Sequence, residues 1–336
     1  MKKTTRTLLG IGGAFCLIGA LLFGIGFMSG GTKYVHATNL NSMNAQEDNK
    51  ESANRFTLKK TEIPDFTSLN INLEDSDLNI EESPNEKSYI EYAQATKDKK
   101  NPVSYFIENG TLTLKEAGNT GASYYINVDI SFLQAALSSK NIEDYTKESS
   151  KYENYVTLYL PKDKLVSPAK IYLGYGDFYV KNAAFDTINI KLDDGDFDAN
   201  TLTANSGKLT FSYGDCDLQK ASLGNISLTS KDGDLTVNEL TLSGKTKIAL
   251  SYGDTEITLN DSTKKVSGFD LATHYGTITA SGLNGNKTLD EDDDVNTFQS
   301  DSKDGKTKLS IDSKDGDITV NPDTTDPNNT VWDLKI

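Results

Sequence analysis

Residues 188–237 read INIKLDDGDFDANTLTANSGKLTFSYGDCDLQKASLGNISLTSKDGDLTV and contain a pattern that recurs along the chain. The pattern is a strand with alternating apolar residues, a Gly-Asp pair, and a second short alternating strand. The glycines recur every 19 or 20 residues, at Gly176, Gly195, Gly214, Gly233 and Gly253. Such a period is typical of stacked repeats, in which successive units bury each other's apolar face. We predict an all-β, solenoid-like stack of two-strand coils, with four or five residues in each strand.

Three further copies extend this repeat along the chain. A looser copy follows at Gly276, a close copy at Gly316, and an early relative has Ser76 at the glycine position. A central glycine gives the backbone the freedom that a tight corner needs. The aspartate after it can bond to turn amides. We therefore expect coils that turn at the Gly-Asp pair.

Over the first five units, the residue before the glycine alternates between tyrosine and aspartate. In the last two units, Tyr275 precedes Gly276 and Asp315 precedes Gly316. Because adjacent strands lie about 4.8 Å apart, stacking would repeat the tyrosines about every 10 Å along one edge. Tyrosine faces suit sugar rings or wall polymer, and aspartates suit cations. The alternative is that tyrosine packs beside a corner and aspartate caps a turn. The predicted binding residues are Tyr175, Tyr213, Tyr252, Tyr275, Asp194 and Asp232.

The composition argues against several classes of function. The formal net charge is −15, whereas nucleic-acid binding requires clustered Lys and Arg. Arginine is limited to Arg6 and Arg55, and histidine to His36 and His274, so groups for anion recognition and proton transfer are scarce. We predict no catalytic residues, no cofactor and no nucleic-acid partner. The enzyme alternative is a polysaccharide-active β-helix, since paired carboxylates can cleave glycosidic bonds.

Two Asp-Gly-Asp turns, at residues 232–234 and 315–317, bring carboxylates together as calcium loops do. The sequence contains neither the EF-hand pattern nor the glycine-rich calcium nonapeptide. The acidic run DEDDD of residues 290–294 is typical of a solvated loop. We predict no metal site.

Residues 8–28 read LLGIGGAFCLIGALLFGIGFM and contain no charge. They are long enough to cross a bilayer as a helix, and the basic residues of segment 1–7 indicate a cytoplasmic flank. We predict a single-pass anchor in the cell membrane, a flexible stalk over residues 29–55 and an extracellular C-terminal domain. The alternative is a secreted chain that is cleaved near Ala37.

Residues 56–165 read as a β-region that leads into the repeat domain of residues 166–336. Asn109-Gly110 between two strands predicts a hairpin with a type I′ turn. An insertion near residues 118–152 departs from the strand pattern, and residues 131–140 within it read as a short helix. The final VWDLKI is predicted to add one more strand.

The Gly-Asp coils, preceded by the Leu-Pro-Lys-Asp step of residues 160–163, resemble bacterial β-strand-repeat domains that are described as candidate adhesins. The resemblance covers roughly residues 60–320 and includes LiaG-like accessory proteins of Gram-positive envelope-stress regulons. It implies a non-catalytic extracytoplasmic scaffold that contacts cell-wall polymer, glycan or envelope proteins. It also implies an alternative, an accessory or sensor component of an envelope-stress response that acts through protein contacts. The family has no established catalytic residues to carry over.

Overall fold

The computed structural model describes residues 55–95, 101–116, 154–290 and 294–322. Within these ranges, no helix is long and apolar enough to span a lipid bilayer. The predicted membrane segment, the stalk up to residue 54, the helix of residues 131–140 and the C-terminal strand lie outside the described residues.

Nearly all of the described chain is β-structure, and its strands form one hydrogen-bonded sheet system. The leading strands are β1 (Arg55–Ile63), β2 (Ser68–Leu73), β3 (Asp77–Glu82), β4 (Ser88–Ala95), β5 (Val103–Glu108), β6 (Thr111–Glu116) and β7 (Tyr155–Leu160). The central strands are β8 (Leu165–Val166), β9 (Ala169–Leu173), β10 (Phe178–Val180), β11 (Ala183–Leu192), β12 (Phe197–Ala199), β13 (Leu202–Phe211), β14 (Cys216–Leu218), β15 (Ala221–Asp232), β16 (Leu235–Leu242), β17 (Lys245–Tyr252) and β18 (Thr255–Leu259). The C-terminal elements are α1 (Asp261–Val266), β19 (Gly268–Tyr275), β20 (Ile278–Ala280), β21 (Asn286–Asp290), β22 (Val295–Ser300), β23 (Lys308–Asp315) and β24 (Ile318–Val320).

The coils of β11–β12 and β13–β14 each contain one long and one short strand, not two strands of four or five residues. β12 has three residues, whereas β11 and β13 have ten each. In β11, Phe185 and Ile188 are both buried, and the two residues between them are only partly buried, so the alternation changes phase once. The two halves of β11 pair with different strands of the preceding coil, β8 and β9. The long strand therefore bends around the core, and the repeat pattern alone shows only its second half.

Parallel pairing in register places equivalent residues of neighbouring coils above one another. Phe178 faces Phe197 across β10 and β12, with ring centroids 5.0 Å apart and planes inclined by 18°. Ile190, Leu209 and Leu228 form another buried column. These columns are the hydrophobic core, and fully burying one such side chain stabilises the fold by roughly 1.5–3 kcal/mol.

The first coil in the sequence is not the first coil in the stack. β2 and β3 pair in parallel with β9 and β10 on one side, and with β6 and β7 on the other. β6 and β7 therefore form the outermost coil, although they follow β2 and β3 in the chain. The antiparallel strands β5, β4 and β1 continue the sheet beyond that coil.

The C-terminal end repeats this arrangement. β23 lies between β17 and β19, and β24 lies between β18 and β20. The last coil in the sequence is thus the next-to-last in the stack, and the antiparallel strands β22 and β21 continue outward from β19. Stacking of successive units, as the repeat predicts, holds only for residues 169–259. Antiparallel strands at both ends cover edges that would otherwise expose unpaired backbone groups.

The aspartate after each corner glycine links its coil to a neighbouring coil. Oδ1 of Asp196 accepts a 2.8 Å hydrogen bond from the backbone N–H of Asp215, and Asp215 accepts one in the same way from Asp234. Seven such bonds of 2.7–3.0 Å run from Asp77 to the amide of Thr277, and we call this series the aspartate ladder. Thr277 lies on an outermost coil with no further coil amide to bond, which explains the looser sequence of that copy.

Two local predictions are confirmed. Asn109 and Gly110 have φ angles of 50° and 73° between the antiparallel strands β5 and β6, as a type I′ turn requires. Ser76 occupies the corner next to Gly176, where a Cβ on that glycine would lie 2.3 Å from the Ser76 carbonyl oxygen.

Replacing Asp215 with alanine should lower the free energy of unfolding by about 1 kcal/mol, because the Asp234 amide loses its acceptor and water only partly replaces it. Asp215→Asn keeps an oxygen acceptor and removes one charge from a row of carboxylates. Its stability should equal or exceed that of the parent chain, most clearly at low ionic strength. Urea unfolding of the full-length chain at two salt concentrations measures both effects. Equal losses for the two variants would contradict a role as acceptor.

Candidate functional site: the Tyr–Asp edge

The residues that precede the corner glycines form one continuous line, which we call the Tyr–Asp edge. Asp232 pairs with Tyr252, Tyr252 with Asp315, and Asp315 with Tyr275. In spatial order the edge is Asp75, Tyr175, Asp194, Tyr213, Asp232, Tyr252, Asp315 and Tyr275. Tyrosine and aspartate therefore alternate along its whole length.

The alternation is more regular in space than in the chain. Along the sequence, the units of Tyr252 and Tyr275 follow each other, and Asp315 comes last. Because β23 lies between β17 and β19, Asp315 lies between the two tyrosines. At the other end, Asp75 extends the alternation beyond Tyr175, a residue that the repeat pattern alone does not single out.

The four tyrosine side chains of the edge project into solvent. Their exposed fractions are 62% for Tyr175, 57% for Tyr213, 60% for Tyr252 and 68% for Tyr275. More than half of the surface of each of these residues is therefore open to solvent. At two coils per ring, neighbouring rings lie about 10 Å apart and the row spans about 29 Å.

All six predicted binding residues lie on this edge, and all are exposed. Their side chains belong to separate coils that the sheet holds in fixed register. What they bind stays a prediction.

Tyr172, Lys191 and Asp193 form a fixed cluster beside the edge. The Tyr172 hydroxyl donates to Oδ2 of Asp193 at 2.9 Å, and Lys191 Nζ lies 2.6 Å from Oδ1 of the same carboxylate. The lysine also lies 4.8 Å from the Tyr172 ring centre. Lys191 lowers the pKa of Asp193, and burial together with Asp193 raises the pKa of Tyr172 to about 12. Tyr172 therefore stays a neutral donor at physiological pH.

A second row of carboxylates lies on the short strands next to the edge. Asp198 and Asp217 pair across β12 and β14. Burial raises the pKa of Asp198 to about 6, and the negative charges of Asp217 and Asp196 add to the shift. Burial also raises the pKa of Asp217. The field on this side of the molecule is strongly negative and favours neutral or cationic ligands over polyanions.

Two depressions of the surface lie away from the edge. His274 borders one of about 460 Å³ that Lys247 and Asp270 also line, with its Nε2 atom 3.8 Å from Oδ1 of Asp312. A second depression, of about 330 Å³, adjoins Phe269. Neither is lined by a residue of the Tyr–Asp edge or by Asp198. Asp198 and Asp217, whose carboxyl groups have raised pKa values, thus line neither depression.

The Asp-Gly-Asp turns serve the stack itself. In the turn of residues 232–234, Asp232 belongs to the Tyr–Asp edge and Asp234 accepts the amide of Asp254. Among the described residues, no group of three or more His, Cys, Asp or Glu side chains is arranged to hold a metal ion. The acidic run of residues 290–294 lies between the paired strands β21 and β22, and its residues 291–293 lie outside the described part of the chain.

A stack of β-coils that turn at Gly-Asp corners defines a β-solenoid-like repeat protein. The family model described as Toastrack DUF4097 matches residues 66–321, and this chain belongs to that family. The membership predicted from the sequence is therefore confirmed. The family description names no catalytic activity. No curated protein matches the chain.

Three solved structures are similar to this chain. A candidate cell adhesion protein from Clostridium sporogenes is 12% identical, with 79% of this chain and 97% of that chain covered and a TM-score of 0.31. A candidate adhesin from Bacteroides fragilis is 10% identical, with 79% and 96% covered and a TM-score of 0.39. A candidate lipid-binding protein from Parabacteroides distasonis is 11% identical, with 80% and 97% covered and a TM-score of 0.37.

Asp198→Asn should stabilise the fold at neutral pH. The folded-state pKa of Asp198 is raised to about 6 from 3.8, so the folded chain holds its proton more tightly than the unfolded chain. Stability therefore falls as pH rises through the window between these values. At pH 7 the gain should be at most about 1 kcal/mol, because solvent still reaches Asp198 and screens its partly exposed carboxylate. Thermal unfolding from pH 3 to pH 8 measures the difference, which should vanish below pH 4.

Asp304 supplies a control of opposite sign. Hydrogen bonds from Ser302 and Thr307 lower the pKa of Asp304, so its stabilisation is present at neutral pH and is lost as pH falls below its ordinary value. Asp304→Asn should destabilise the fold at pH 7 and converge with the parent in acid. The same pH dependence in both variants would contradict the assignment for Asp198.

Proposed function

We propose that this chain is a non-catalytic, extracytoplasmic adhesion protein or envelope scaffold, and that its Tyr–Asp edge binds wall polymer or glycan. The observation that carries the proposal is the row of four exposed tyrosines in register along one edge. Exposed aromatic rings rimmed by polar groups are typical of binding surfaces. Ring faces pack against the apolar faces of sugars, and the carboxylates between them accept hydrogen bonds from hydroxyl groups.

The stack makes such an edge suitable for a polymer. Each ring belongs to a coil that backbone hydrogen bonds and the aspartate ladder hold to its neighbours. A rigid row loses little conformational freedom when a ligand binds. Several weak contacts on one scaffold then add up to a useful avidity for a repeating ligand.

The proposed location rests on the N-terminal sequence. The uncharged residues 8–28 follow a basic flank and precede a polar segment, an order typical of a single-pass anchor with the following domain outside. An anchored repeat domain would extend from the membrane toward wall polymer or envelope proteins. The proposal of no catalysis rests on the scarcity of Arg and His and on a family match that names no activity.

The triple variant Tyr175→Ala, Tyr213→Ala and Tyr252→Ala should lose binding to insoluble cell-wall fragments by at least tenfold, because each ring contributes on the order of 1 kcal/mol. Co-sedimentation of the purified full-length chain with wall fragments measures the loss. The corresponding triple Tyr→Phe variant keeps the rings and should retain most of the binding.

A matched control removes exposed apolar side chains away from the edge. Phe106, Leu165 and Leu289 are 49%, 54% and 57% exposed, and their triple alanine variant should bind as the parent does. Undiminished binding by the tyrosine variant would overturn the role of the edge. Co-purification with membrane proteins in place of wall fragments would support the accessory role in an envelope-stress response.

Deleting residues 8–28 should move the chain from the membrane fraction to the soluble fraction. In cells that carry the full-length chain, protease added outside should digest the repeat domain, because the basic flank keeps the N-terminus in the cytoplasm. Fractionation and immunoblotting measure both effects. If expression of the full-length chain gives a soluble product that begins just after Ala37, the secreted alternative is favoured instead.

A further inference from the structure

We propose that the Tyr–Asp edge binds a glycan whose repeating unit is a disaccharide. The ligand is an extended β-1,4-linked chain of neutral or N-acetylated hexosamines that lies along the stack. This inference rests on the proposed function and specifies its ligand. It follows from the juxtaposition of rings and carboxylates at an interval of two coils.

The repeating unit of the surface is two coils, not one. Rings recur on every second coil, about 10 Å apart, and a carboxylate lies between each pair. In an extended β-1,4-linked chain, successive sugars are turned over, so the same ring face returns once per disaccharide. The advance per disaccharide is close to the spacing of two coils. Each tyrosine would therefore meet the same face of every second sugar.

A simple duplication of a two-coil segment does not account for this spacing. Duplication would give alternation in chain order, but the chain places Tyr252 and Tyr275 in consecutive units. The out-of-order insertion of β23 restores the alternation in space by placing Asp315 between them. The two-coil interval is thus a property of the assembled surface.

A column of lysines on the adjoining face has the same interval. Lys170, Lys208 and Lys247 are exposed on the coils of Tyr175, Tyr213 and Tyr252, and the intervening positions are Asn189 and Ser227. The column ends there, because the equivalent residue on the coil of Tyr275 is Asp270. From the coil of Tyr175 to the coil of Tyr252, the lysine column and the tyrosine row therefore have the same two-coil interval. A ligand that lies along the stack meets a uniform surface only if its own period is that of two coils.

The charges of the edge narrow the class of glycan. Asp194, Asp232 and Asp315 are exposed on the edge, and the aspartate ladder runs two residues further along each coil. A polyanionic glycan would meet repulsion at every second coil. Neutral or N-acetylated sugars avoid this repulsion and offer hydroxyl and amide donors to the carboxylates.

Titration of the purified full-length chain with β-1,4-linked N-acetylglucosamine oligosaccharides tests the period. Affinity should rise roughly fivefold with each added disaccharide, from the disaccharide to the octasaccharide, because each adds one ring contact. Oligomers of the same sugars with a β-1,3 linkage advance differently and should show no such series. Equal affinities for both linkages, or a cationic peptide that binds more tightly than the octasaccharide, would overturn the inference.

The double variant Asp194→Tyr with Tyr213→Asp tests spacing at constant composition. It keeps the number of rings and charges on the edge and moves one ring by a single coil. Its affinity should no longer rise with each added disaccharide, as is also expected of Tyr213→Ala. Its unfolding temperature should stay close to that of the parent. Parent-like affinities in the double variant would overturn the two-coil period.

The two proposals fail in different ways. If the chain binds no wall fragment and no oligosaccharide, the proposed function itself fails. If it binds wall fragments through its tyrosines but shows no preference for linkage or length, only the disaccharide period fails.

Discussion

The stack depends on the seven corner glycines from Gly176 to Gly316, each of which lies directly against the carbonyl group of a neighbouring coil. A Cβ at Gly214 would lie 2.3 Å from the oxygen of Gly195, and one at Gly233 would lie 2.0 Å from the oxygen of Gly214. Any side chain there would force the coils apart and break the ladder bonds on all sides. The aspartate that follows uses this close approach, since its carboxylate reaches the amide of the adjacent coil.

This constraint fixes the register of everything else. With corners aligned, the inward positions become buried apolar columns such as that of Phe178 and Phe197. The outward positions become straight rows of like residues. The Tyr–Asp edge and the row of Asp198 and Asp217 follow from the same alignment. A rigid surface with a regular period is thus a direct result of the packing that stabilises the core.

The two ends of the stack have the same arrangement of coils, although they are built from different segments of the chain. At one end, the coil of β2 and β3 lies one place inward and the coil of β6 and β7 is outermost. At the other end, the coil of β23 and β24 lies one place inward and the coil of β19 and β20 is outermost. Antiparallel strands pair with β6 and β7 at one end of the stack and with β19 at the other, and they cover the edges of these three strands. Because the inserted coil must pair on both sides, it couples the cap to the central coils.

The period, the Gly-Asp corners, the turn at Asn109 and Gly110 and the six predicted edge residues follow from the sequence, because local backbone chemistry and periodicity set these features. The bend within the long strands was missed, since alternation looks the same on both sides of a phase change. Only the tertiary structure decided the order of coils at the two ends, and with it the unbroken alternation from Asp75 to Tyr275. Parallel pairing uses backbone groups that every coil shares, so one Gly-Asp coil can stack on any other. Which coils become neighbours in the stack therefore depends on how distant segments of the chain pack together.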